Sequence, residues 1–152
     1  MTDYSTQTPH LASFVILKNP AGKIAMVLRT GTGWMDGHFG LPSGKVENCE
    51  MYKAAAVREA FEEVGAVIDQ RDLKHAITQH YLETKYPENS WVNVLFLVEK
   101  WTGELVNKEK DKHGNISWFE PEALPDNTVP AVRQALEEYA NGKNYCEFQW
   151  EE

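Results

Sequence analysis

"GKVENCEMYKAAAVREAFEEVGA", Gly44–Ala66, crowds five glutamates among alanine, valine and phenylalanine in a chain whose formal net charge is already −8. Its apolar residues recur at helical intervals from about Met51 to Val64, and Gly65 supplies the residue a helix terminus favours, free to turn left-handed. Successive helical residues rotate by roughly 100°, so Glu59, Glu62 and Glu63 project from one side. Ala54, Val57, Phe61 and Val64 then form the opposite, sheet-packing side. An acidic helix face is ordinarily a solvated one. Here two features of the placement oppose stability. Carboxylates at i,i+3 and i,i+4 repel by roughly 0.2–0.5 kcal/mol per pair, and in these turns only Arg58 offers Glu62 an attractive partner. The glutamates also sit in the last two turns, where the helix macrodipole disfavours each anion by roughly 0.3–1 kcal/mol. A locally costly arrangement fits a place where a bound cation restores what is lost. Carboxylates on a rigid helix suit Mg2+ or Mn2+, hard ions that prefer oxygen and keep waters to share with phosphates.

Working outward, a chain of 152 residues with 42% hydrophobic and 11% aromatic content reads as one ordinary globular domain. The balance of 23 Asp+Glu against 15 Lys+Arg leaves no basic stripe for gripping a nucleic-acid backbone. A small anionic ligand remains admissible where cations stand between it and the carboxylates. "MTDYSTQTPH" reads as a flexible leader through residue 9, without the basic and apolar regions of a secretory signal. Runs such as "VNVLFLV" are too short to span a bilayer, so the expectation is a cytoplasmic protein with no membrane partner. Cys49 and Cys146 have no spacing that suggests a metal knuckle or disulfide framework and read as reduced and unpaired.

"LASFVILKN", the turn "NPAG" and "KIAMVLRT" predict a hairpin from Leu11 to Thr30. The glycine-rich "GTGWMDGHFGLPSGK" reads as loop with a short strand at His38–Leu41. After the acidic helix, "LKHAITQHYLE" and "SWVNVLFLVEKW" read as strands parted by the turn "KYPENS", and "NISWFE" as another. "VPAVRQALEEYANGK" predicts a second helix, with Val129, Val132, Leu136 and Tyr139 as its apolar stripe and Gly142 as its stop. The tail "NYCEFQWEE" carries no clear pattern. Together these elements predict an α/β fold, a mixed sheet with a helix on each side.

Gly44, Glu50, Arg58, Glu59, Glu62, Glu63 and Gly65 also reproduce the spacing G-x5-E-x7-R-E-U-x-E-E-x-G-U, in which U is a bulky aliphatic residue. On these residues the chain resembles the Nudix hydrolases. Those fixed letters would coincide by chance on the order of once in 10⁸ to 10⁹ starting points. The chain departs from the pattern at both U positions, held by Ala60 and Ala66, and has Ser43 before Gly44 where members often carry a Gly-Gly pair. Similarity over "WTGEL…NKEKDKHGNISWFEPEALP" is looser.

The resemblance implies an α/β/α sandwich that hydrolyses a nucleoside diphosphate linked to a further moiety, with water attacking phosphorus and Mg2+ or Mn2+ bridging enzyme and diphosphate. It implies Glu59, Glu63 and Glu62 as metal ligands, joined by the main-chain carbonyl of Ser43, with Arg58 orienting a neighbouring carboxylate and Glu50 supporting the helix start. Members take the general base from the signature helix or from a later loop, which leaves Glu62 and Glu109 as candidates; "KEKDK" around Glu109 also reads as a plain solvated loop. Gly44, Lys45, Trp34, His38 and Tyr81 are the candidates to touch substrate, although an aromatic or histidine in such a place is more often structural.

Tyr81 stands where members acting on ADP-ribose often carry proline. A tyrosine near that place is instead seen in some dinucleoside-polyphosphate hydrolases. The expectation is a compact nucleoside triphosphate as substrate over ADP-ribose or a nucleotide sugar, with a dinucleoside polyphosphate as an alternative. A nucleotide-binding module that no longer turns over is the competing class. The intact set Arg58, Glu59, Glu62 and Glu63 opposes it, and no EF-hand oxygen loop is present. Family members occur as monomers and as two-fold dimers.

Overall fold

The computed structural model describes residues 8–83 and 90–150. The leader through residue 7 and the turn at 85–90, apart from Ser90, therefore lie outside the described residues. In chain order the elements are β1 (His10–Leu17), β2 (Ile24–Arg29), β3 (Phe39–Gly40), β4 (Ser43–Lys45), α1 (Tyr52–Val64), β5 (Lys74–Glu83), β6 (Ser90–Val98), β7 (His113–Phe119), α2 (Pro130–Ala140) and β8 (Tyr145–Trp150).

The strands form a five-stranded sheet in the order β4-β1-β6-β5-β8 and a three-stranded sheet in the order β3-β2-β7. The larger sheet is mixed, since β1 runs parallel to β6 and β5 parallel to β8, while β4 and β1, and β5 and β6, are antiparallel. Apolar residues alternate between two cores, as the two-residue period of a strand requires. Val15 and Leu17 of β1 and Ala25 and Val27 of β2 pack with Ala56, Ala60 and Val64 of α1. Ile16, Ile24 and Met26 pack with Val132, Ala135 and Leu136 of α2. Strands buried on both faces read as unbroken apolar runs, which "FVIL" and "IAMV" are. The result is the expected α/β/α sandwich, built on two sheets.

Three expectations need correction or completion. The hairpin at Leu11–Thr30 survives only at its turn, where Asn19 N–H donates to Lys23 O and Lys18 bridges Ile24. Beyond it β1 and β2 part into different sheets, because β4 and β6 occupy both edges of β1 and β3 and β7 both edges of β2. The helix α1 is also rotated from the expected setting. Its buried residues are Ala55, Ala56, Ala60, Glu63 and Val64. Phe61 is 48% exposed and carries the Lys108 ammonium 3.8 Å above its ring. Small alanines let the helix backbone approach the sheet closely, and the two at the U positions, Ala60 and Ala66, are fully buried. Finally, the unassigned tail supplies β8, whose Cys146 joins the α2 core. Gly65 ends α1 at φ 74°, donating to Phe61 O, as its sequence position requires. Cys49 and Cys146 are both free.

Candidate functional site

Helix α1 lays its acidic side against β4. Gly44 lies so close that a Cβ there would stand 2.0 Å from Glu59 Cδ. Only a glycine admits the Glu59 carboxylate at this point. One residue earlier, Ser43 N–H donates to Glu63 Oε2 at 3.1 Å. Glu63 is only 7% exposed and makes no ion pair among the described residues. Burial drives its pKa well above the carboxylate range, and burial raises that of Glu59 also, against the pull of Arg58.

Arg58 organises the outer edge of the cluster. Its Nε and Nη2 grip both oxygens of Glu50 at 2.8 and 2.9 Å, the bidentate geometry that a planar guanidinium favours. Nη1 reaches Glu59 Oε1 at 2.6 Å and Glu62 Oε2 at 3.3 Å, and Nη2 also donates to Lys45 O. One side chain thus ties the helix, Glu50 just ahead of its N-cap and β4 together. Glu50 is engaged by Arg58 and by Glu47 N–H, and its pKa falls to about 2, chiefly through the Arg58 hydrogen bonds. Its role in the structure is this clamp on Arg58 rather than an interaction with the helix terminus.

Glu109 arrives from the segment between β6 and β7. Lys108 N–H donates to Glu63 O, docking that segment on the end of α1. Asn107 pins it further by donating to His113 O and Gly114 O and accepting from Glu109 N–H. The carboxylate stands 3.6 Å from Lys112 Nζ and 3.6 Å from His113 Nδ1. One ligand atom each from Glu63, Glu109 and His113 lies within 4.8 Å of the others. Within the run "KEKDK" only Glu109 is half-buried, while Lys108, Lys110, Asp111 and Lys112 are exposed.

On the other side of β4 lies a cavity of about 320 Å³, lined by Ser43, Gly44 and Lys45 and, across from them, by residues of α2. Trp34 stands on its wall at 41% exposure, with the Arg29 guanidinium 4.9 Å from its ring. Lys45 Nζ lies 5.4 Å from the Trp91 ring. Tyr81 is buried in the cavity wall, stacked on Phe148 at 5.8 Å, and burial pushes its hydroxyl up to about 12. Of the substrate-contact candidates, His38 does not line this cavity; it is half-buried beside the Asp36 carbonyl.

The structure also brings in residues that the sequence reading passed over. Gln79 and Asn93 face each other across β5 and β6 and are both buried in the cavity wall. Gln79 Nε2 donates to Ala131 O at 2.8 Å, an acceptor that cannot reverse, so its Oε1 must receive Asn93 Nδ2, 3.1 Å away. This leaves Asn93 Oδ1 as the acceptor without a protein partner among the described residues. The available signal was Asn93, an amide in the largely apolar run of β6; Gln79 gave none among the polar residues of β5. Arg29, at the end of an apolar strand, lines the cavity and feels the charge of Glu63, while burial lowers its pKa. His113 gave no signal beyond its place after a charge run.

The NUDIX domain family matches residues 8–139. The chain is similar to 8-oxo-dGTP diphosphatase of Escherichia coli (strain K12), 32% identical over 94 residues, which cover 62% of this chain and 69% of that one. The crystal structure of a MutT NUDIX hydrolase from Burkholderia pseudomallei aligns with a TM-score of 0.77 at 27% identity, covering 86% of this chain and 97% of that one. A MutT protein from Methanosarcina mazei Go1 aligns with a TM-score of 0.75 over 90% of this chain and 96% of its own, at 18% identity, and bears on the fold alone. With Glu59, Glu62 and Glu63 of the signature gathered on one helix against β4 and a matching domain over most of its length, the chain belongs to the Nudix hydrolase family, as a Nudix-type pyrophosphohydrolase.

Proposed function

We propose that this chain hydrolyses the pyrophosphate linkage of a nucleoside triphosphate, with a divalent cation held by Glu59, Glu62, Glu63 and the Ser43 carbonyl. One observation carries the reading. Strand β4 is shared: one side of it backs the carboxylates, and its residues Ser43, Gly44 and Lys45 line the cavity. A planar ring in the cavity would leave a phosphate chain to cross β4 toward the glutamates. The donor set fits a hard cation, since it is all oxygen and includes a buried carboxylate with no ion pair among the described residues. Bound there, Mg2+ or Mn2+ would neutralise diphosphate charge and acidify a coordinated water.

The protein's own part is positioning. Arg58 holds Glu59 and Glu62 in register with Glu50, and Gly44 keeps room for Glu59. Glu62 and Glu109 are the carboxylates available to take the proton of the attacking water. Lys45 and Arg29 place positive charge at the cavity wall, where it would meet the phosphates.

For the ring, Tyr81 and Trp91 offer aromatic surface, and stacking is worth roughly 1–3 kcal/mol per base in other systems. Asn93 Oδ1 offers an acceptor of fixed polarity, which selects a ring that presents an N–H or amino group. The relative named for 8-oxo-dGTP makes purine triphosphates the first to test. A panel of nucleoside triphosphates, ADP-ribose and dinucleoside polyphosphates, assayed with Mg2+ or Mn2+ and again with chelator, decides it. Chelator-sensitive release of pyrophosphate from a triphosphate supports the proposal. Turnover of ADP-ribose alone, or of nothing, overturns it.

A further inference from the structure

His113 is the one buried side-chain polar atom without a hydrogen-bond partner among the described residues, at its Nδ1. Leaving such an atom unsatisfied costs about 1–3 kcal/mol, so its persistence needs a reason. The side chain is 8% exposed and faces the glutamates rather than solvent. Its distance of 3.6 Å from Glu109 Oε2 is too long for a hydrogen bond. It suits two ligands of one ion, because donors about 2.0–2.3 Å from a shared metal stand roughly 3–4 Å apart. Glu63 completes the group, with all three ligand atoms inside 4.8 Å of one another.

We propose that Glu63, Glu109 and the Nδ1 of His113 form a second cation seat, sharing Glu63 with the helix site and distinguished by a nitrogen ligand. The proposal rests on the reading of the carboxylate cluster as a cation site. An imidazole in the ligand set favours borderline ions such as Co2+ or Zn2+ over Mg2+, and among the hard ions it is Mn2+ that accepts a nitrogen ligand the more readily. The seat also divides labour. With Glu109 as a ligand the base comes from the helix: Glu62, the exposed carboxylate held by Arg58, then accepts the proton of the attacking water and leaves the helix cation to Glu59, Glu63 and the Ser43 carbonyl. The loop that delivers Glu109 is held by Asn107 and by Lys108 N–H on Glu63 O, so the seat is built by main-chain docking rather than by chance proximity.

Pulsed electron paramagnetic resonance of Mn2+ added to the protein tests this without turnover. The expected spectrum shows nitrogen coupling from a directly bound imidazole in the wild type. The coupling is absent in His113→Gln and retained in His75→Gln, an exposed control on β5 of the other sheet. Mn2+ titration of His113→Gln should show at least a tenfold weakening of one site with the other unchanged. Bound Mn2+ with no nitrogen coupling in the wild type overturns the proposal and leaves the oxygen site standing. Absence of Mn2+ binding overturns both. The wild-type spectrum decides the matter even where the variant fails to fold.

Discussion

At Gly44 a single hydrogen determines where Glu59 lies, because an added methyl would meet the carboxylate at 2.0 to 2.5 Å. The atoms it meets are the end of a flexible side chain, so Gly44→Ala should shift Glu59 while the fold gives at little cost. The expected outcome is at least a tenfold loss in kcat/KM with an unfolding temperature close to wild type, measured by steady-state kinetics and thermal melts. Glu63 presents the opposite balance. Its carboxylate is buried with one main-chain donor, and burial lifts its pKa, so folding without a cation carries a penalty at neutral pH. Glu63→Gln removes the charge and keeps the Ser43 contact. In the absence of metal it should be as stable as wild type or more so, while turnover falls by orders of magnitude. Loss of both stability and activity would assign Glu63 a structural role.

At the scale of the element, α1 is held in place by Arg58 as well as by its apolar side. The Glu50 carboxyl falls from an ordinary 4.5 to about 2 in the folded chain. A depressed acid contributes stability that is complete above its unfolded pKa and is lost as pH falls through the folded value. The wild type should therefore lose stability between about pH 4.5 and 2, and Arg58→Ala should flatten that part of the profile, measured by denaturant unfolding at stepped pH. The variant should also lower turnover, because Glu59 and Glu62 lose the guanidinium that aligns them. Helix α1 shows what a sequence reveals and what it conceals. Its limits and its glutamate face follow from periodicity and from Gly65, since both depend on residues close in the chain. Its rotation does not, because it is set by how near alanines at 55, 56 and 60 let the backbone come to β1 and β2. Phe61, the largest apolar residue of the segment, was the natural choice for the core, and it lies outside beneath Lys108.

Across the whole molecule, the sandwich places a signature helix on one side of β4 and a cavity on the other. The α/β class and the helices α1 and α2 were legible from local pattern, while the 3-10 turn at Gln70–Asp72 was not. The division of β1 and β2 between two sheets was not, because strand partners are fixed by which edges distant segments such as β6 and β7 occupy. Gln79 and Asn93 escaped notice for the same reason, as each matters through a partner far along the chain, and so did His113, whose neighbour Glu109 is close in sequence but whose neighbour Glu63 is not. Gln79→Leu removes the partner of both Asn93 and the Ala131 carbonyl. It should destabilise the fold by about 1–3 kcal/mol and weaken discrimination among bases more than turnover itself, as read from denaturant melts and substrate ratios.

The claim on which the rest depends is that the glutamates are crowded because a cation sits among them. Calorimetric titration of the metal-free protein with Mn2+, followed by thermal unfolding of the loaded protein, tests it directly. The account predicts saturable uptake that raises the unfolding temperature of the wild type by several degrees and that of Glu63→Gln by little or nothing. No uptake by the wild type, or an equal rise in both proteins, would contradict it.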